Sequence, residues 1–132
     1  MNKVLLGLIF VVLVSPVFSH EFSPAHLIIE EDADFKYEVT WMYPIRNLGP
    51  VNLTLPNDCQ SNSLETFQES KYLSEKISLQ CSDSIKGKDI FIKGLSILND
   101  ALVTIKFLDG ERYEGLVSVK DSKLTIPQEL QV

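Results

Sequence analysis

Residues 35–43 read Phe-Lys-Tyr-Glu-Val-Thr-Trp-Met-Tyr, so that Phe35, Tyr37, Val39, Trp41 and Tyr43 alternate with Lys36, Glu38, Thr40 and Met42. Successive side chains of a strand point to opposite faces, so a period of two marks a strand with one buried face. The same alternation recurs at Val51-Leu53-Leu55, Ile77-Leu79-Cys81 and Ile90-Ile92. His26–Glu31 reads as a short first strand, and Leu124-Ile126 before Pro127 as a short last one. Turn signals separate these runs: Pro44, Gly49-Pro50, Pro56-Asn57-Asp58, Gly94 and Asn99-Asp100. Asp109-Gly110 lies between the runs 103–108 and 111–119, which predicts a hairpin with a tight turn needing positive φ. Residues 64–75 carry Leu64, Phe67 and Tyr72 without a clean period and read as a loop entering a strand. Trp41 and its aromatic neighbours read as core, because aromatics bury the largest areas in a small sandwich. Short strands at this spacing predict an antiparallel, immunoglobulin-like β-sandwich of seven to eight strands.

The N-terminus predicts export. Lys3 precedes an apolar run, Val4–Val14, and Pro16 breaks it before Val17-Phe18-Ser19, a small-residue cleavage site. As a helix the run spans only ~16 Å, about half a bilayer core, so it reads as a signal peptide over residues 1–19 and not as an anchor. Residues 20–132 then form a single domain whose first residue is His20. The chain has a formal net charge of −6, and losing one lysine with the signal leaves −7. Such a surface argues against nucleic acid, which selects a cationic face. Beyond the signal no apolar run is long enough to cross a bilayer.

Cys59 and Cys81 stand 22 residues apart in a chain destined for an oxidising compartment, where a structural disulfide is the expectation. In the chain-entropy picture that bridge contributes roughly 3 kcal/mol.

His20-Glu-Phe-Ser-Pro-Ala-His26-Leu directly after the signal is followed by Tyr37-Glu-Val-Thr-Trp41, Leu53-x-Leu55-Pro56-x-x-Cys59 and Cys81. Gly94-Leu95, Leu108-Asp109-Gly110 and Leu124-Thr-Ile-Pro127 complete the series. In this order the motifs resemble the N-terminal extracytoplasmic domain of HupE/UreJ-type bacterial membrane proteins, across essentially the whole mature chain. The resemblance implies a β-rich domain on the periplasmic or extracytoplasmic face, ahead of transmembrane helices associated with nickel or cobalt uptake. Its partner would be a membrane transporter or another envelope protein. The transport histidines of that family belong to the helices and are not carried over. Where the family shows an aromatic residue, this sequence has His26. The chain is then either a separate accessory domain or the soluble fragment of a longer membrane transporter.

The candidate metal ligands are His20 and His26. A first-residue histidine offers an α-amine with a pKa near 7.7–8.0 beside its own imidazole, a compact chelate for Cu(II) or Ni(II). His26 is a third nitrogen if residues 21–25 curl back; otherwise His20 is a polar terminus and His26 a surface strand residue. Glu30, Glu31, Asp32 and Asp34 form an acidic run, read as a solvated turn because it lacks the spacing and the glycine of a calcium loop. No nucleophile elbow, phosphate-cradling loop or zinc-protease motif is present, so the expectation is a non-catalytic protein. Its competing reading is a metal-free protein-interaction sandwich.

Overall fold

Alternation decides where the buried faces lie. The computed structural model describes residues 23–45, 50–96 and 100–130, in which every regular element is a strand. The strands are β1 (Ala25–Ala33), β2 (Lys36–Pro44), β3 (Asn52–Thr54), β4 (Cys59–Glu69) and β5 (Tyr72–Cys81), then β6 (Asp89–Lys93), β7 (Ala101–Lys106), β8 (Arg112–Val117) and β9 (Lys123–Thr125). They form two sheets in a sandwich-like arrangement, one ordered β4-β5-β2-β1-β7-β8 and the other β3-β6-β9. Every pairing is antiparallel except one: β1 runs parallel to β7 while pairing antiparallel with β2 on its other side. The N-terminal strand therefore sits in the middle of the large sheet.

Register turns the alternating sequence into cross-strand rows. Leu27 lies between Trp41 and Val103, and Ile29 between Val39 and Ile105. Ile77, Leu79 and Cys81 extend this layer on β5, and Ile90, Ile92 and Leu124 face it from the small sheet; all are buried. Burial of each large aliphatic side chain contributes about 1.5–3 kcal/mol, so these rows dominate the stability of the fold. The two sheets approach each other where β9 meets β8. On the opposite side a groove of about 550 Å³ opens between them, lined by Tyr43, Leu53, Ser61, Ser63 and Glu75.

Three local expectations change. Phe35 does not continue the inward row of β2. Ala33 pairs with Lys36, so Asp34 and Phe35 make the turn, and Phe35 is 38% exposed with φ 60°. Residues 64–75 are not a loop entering a strand but the end of β4 and the start of β5, joined at Ser70-Lys71, where Ser70 takes φ 54°. β4 is the edge of the large sheet and its residues are largely exposed, so no hydrophobic period marks it. The β7–β8 connection is longer than a two-residue turn. Phe107 N–H donates to the Glu111 carbonyl at 2.8 Å and Gly110 N–H to the Phe107 carbonyl at 3.0 Å. Only Gly110 has positive φ there, at 93°, the pattern of a longer hairpin loop closed by one left-handed glycine. A second glycine is required at position 94: a Cβ there, at φ 94°, would lie 2.1 Å from the Pro50 carbonyl oxygen.

Candidate functional site

The predicted disulfide is present. Cys59 and Cys81 face each other directly across the β4–β5 ladder, with Cα atoms 4.0 Å apart. The Cys81 end joins the core while Cys59 lies half-buried against it. The bridge fixes the start of an edge strand that, among the described strands, pairs with β5 alone.

Of the two candidate metal ligands, the described residues include His26 alone. His20, like the whole predicted signal peptide, lies outside the described residues. His26 is half-buried on the outer face of the large sheet, between Met42 and Leu102 in register. Its ring lies 6.1 Å from that of Tyr72, whose hydroxyl donates to the Pro24 carbonyl at 3.1 Å. Among the described residues no group of three or more His, Cys, Asp or Glu side chains could hold a metal ion.

Chemistry concentrates instead at one end of the sandwich, where β1 and β7 finish, β2 and β4 begin and β5 finishes. The resulting loops are 34–35, 55–58, 82–88 and 107–111. Glu31, read from sequence as part of a solvated turn, is the tie between two of them. Its Oε2 accepts from the Phe35 N–H at 3.1 Å and its Oε1 from the Leu108 N–H at 2.9 Å. The Phe35 carbonyl in turn accepts from the Cys81 N–H at 2.8 Å. Two exposed apolar residues are thus held by their backbones: Phe35, and Leu108 at 53% exposure. Nothing local in the acidic run reveals this role, because only the parallel pairing of β1 with β7 brings residues 31 and 108 together.

Beside this tie the Lys86 ammonium lies 2.5 Å from Glu111 Oε2 and 4.9 Å from the centre of the Phe107 ring. Glu111 raises the Lys86 pKa, so the lysine stays charged and its charge is matched within the loop end. Phe35, Leu108, Phe107, Asp34 and Asp109 line a pocket of about 320 Å³.

Underneath, the Tyr37 hydroxyl accepts from the buried Ile85 N–H at 3.3 Å, which fixes the 82–88 loop on the core. Burial pushes the Tyr37 phenol above its ordinary range. Tyr37→Phe leaves that N–H without its acceptor, and a loss of about 1–2 kcal/mol is expected by chemical denaturation. An unchanged midpoint would mean that Ile85 finds another acceptor.

Lys88 bridges Asp58 and Asp83, and the Ser82 hydroxyl also donates to Asp58 at 3.0 Å. The Lys88 ammonium and then Ser82 hold the Asp58 carboxyl down at about 2. Because the folded pKa is depressed, this interaction stabilises the protein above about pH 4, and its contribution is lost as pH falls toward 2. The Asp58 side chain is 31% exposed, so solvent screening keeps the contribution below about 1 kcal/mol. In Lys88→Met the Asp58 titration followed by carboxyl-carbon NMR is expected to move up toward its ordinary 3.8. A midpoint that stays near 2 would assign the shift elsewhere.

No protein-family model matches this chain, and no curated protein matches it either.

Proposed function

We propose that this chain is an exported, non-catalytic binding module that serves an envelope protein by presenting the loop end of its sandwich, in the manner of an accessory ectodomain of HupE/UreJ type. The observation that carries this reading is Phe35. A bulky residue at positive φ is a backbone outlier costing on the order of 1 kcal/mol or more, and such strain clusters at binding surfaces. Here it displays an aromatic side chain to solvent, and two hydrogen bonds hold it there. The disulfide supports the exported part of the reading, since such bonds persist in oxidising compartments.

The test uses the full chain in its own cells, with a photo-crosslinking residue at position 35, 108 or 62. A discrete protein adduct is expected from the two loop-end positions and none from Asn62 on the polar edge strand. Equal adducts from all three positions, or none from any, would refute it. Mass spectrometry of the exported protein is expected to show a chain beginning at His20.

The transition-metal part of the resemblance rests on His20. If its amine and imidazole chelate Cu(II) or Ni(II), one extra residue placed before it should lower affinity about tenfold or more. Equal uptake by the two forms, or no uptake, ends that part while leaving the binding module standing.

A further inference from the structure

The charge of this protein is distributed unevenly over the fold. On the outer face of the large sheet, charges of opposite sign are matched: Lys76 with Glu38, Lys106 with Glu30 and Arg112 with Glu114. At the loop end the segments 31–36, 57–58, 82–88 and 107–111 together hold seven carboxylates against three lysines. Lys86 is engaged by Glu111, and Lys88 is shared between Asp58 and Asp83. Asp34 and Asp109 enter no ion pair among the described residues, and both stand at the pocket that Phe35 and Leu108 flank.

That pocket, at about 320 Å³, is at the small end of the range for ligand sites. It suits a side chain of a larger partner better than a whole small molecule. Phe35, Phe107 and Leu108 give it apolar walls, and polar side chains line the rest. Its Lys86 is paired with Glu111, and Asp109 Oδ1 accepts from the Glu111 N–H at 2.9 Å, so the net charge of the lining is negative. A lysine or arginine has the matching form, an apolar stem ending in a cation that seeks carboxylates. Carboxylates around an apolar anchor site also steer a cationic partner to it and repel an anionic one.

We infer that the loop end docks a basic polypeptide segment, with the stem of a lysine or arginine lying between Phe35 and Leu108 and its charged head meeting Asp34 and Asp109. This rests on the binding-module reading and adds to it the chemistry of the partner. The positive φ of Phe35 makes the idea unusually testable, because glycine accommodates that backbone without strain. Phe35→Gly is expected to leave the Tm unchanged or higher while removing the binding contact.

The experiment pans a random twelve-residue peptide display library against the folded, disulfide-bonded protein and measures the enriched peptides in solution. Basic peptides are expected. Their affinity should fall about tenfold or more in Phe35→Gly and in Leu108→Ser. It should fall by a similar factor in the double variant Asp34→Asn, Asp109→Asn, and steeply with added salt. Enriched peptides that are acidic or neutral, or whose binding ignores all these variants, would overturn the proposed partner while leaving a binding module that uses another face. A library that yields no binder to any face would overturn both.

Discussion

Replacing Cys59 and Cys81 together by serine is expected to lower the unfolding free energy by roughly 3 kcal/mol, the loop-closure contribution of a bridge with this separation. The loss should be uneven across the structure. β4 is an edge strand, exposed along nearly its whole length, and its ladder runs to β5 alone. Its far end is held by the two-residue turn at Ser70-Lys71, its near end by the sulfur bridge and by the Asp58–Lys88 ion pair. Hydrogen exchange of the serine variant should therefore show residues 59–63 losing protection first, with residues 66–69 next to the turn keeping more of theirs. Uniform loss over the whole sheet would mean that the bridge acts on global unfolding alone, and unchanged stability would mean that the hairpin closes without it.

Glu31→Ala is expected to cost roughly 2 kcal/mol, on the order of 10 °C in Tm for a domain of this size. The single carboxylate accepts from two main-chain donors that belong to different turns, Phe35 N–H and Leu108 N–H. Hydrogen bonds to an ionised acceptor are stronger than neutral ones, although both of these lie at the surface and are weakened by solvent. Removing the carboxylate leaves the two donors to water and frees the loops from one another. Glu31→Gln keeps one acceptor oxygen but turns an amide toward the second donor, so it should fall between the parent and the alanine variant. Thermal unfolding gives the ranking. If alanine and glutamine are equivalent to the parent, the cross-tie has no energetic weight. Loss of fixed Phe35 and Leu108 signals in NMR spectra of Glu31→Ala would show the structural half of the same effect.

Much of the architecture was legible in the chain because half-buried strands carry their period openly. Tyr37, Val39 and Trp41 on β2 and Ile77, Leu79 and Cys81 on β5 are buried as their alternation predicts. The cysteine pairing followed from the expectation of export and from a sequence with two cysteines. What stayed hidden has a common cause. The polar run from Gln60 to Glu65 shows no period because neither face of that edge is covered, so a strand there leaves no hydrophobic trace. Phe35 continued the aromatic rhythm by one step too many, because the register of β1 against β2 places the turn at 34–35 whatever the local preference of phenylalanine. The role of Glu31 depends on a partner 77 residues away. A local pattern cannot report such a contact, and the acidic run around Glu31 looked like solvent-facing charge. Of the proposed chelate only His26 is described, in a strand whose register neighbours are Met42 and Leu102, while His20 lies outside the described residues.

The place of β1 would shape how the chain matures if it is exported as we propose. It would then be the first of the described strands to leave a translocation channel, yet its second neighbour, β7, begins 76 residues later. Until that distant segment has crossed, the hairpin of β1 and β2 has one open side and cannot complete its hydrogen bonding. Contacts so far apart along the chain are slow to form. On that route the polypeptide would cross nearly whole before it could close upon itself. Such a delay would keep it threadable during passage, and would leave the newly delivered chain dependent on escort or speed to avoid sticking to its neighbours.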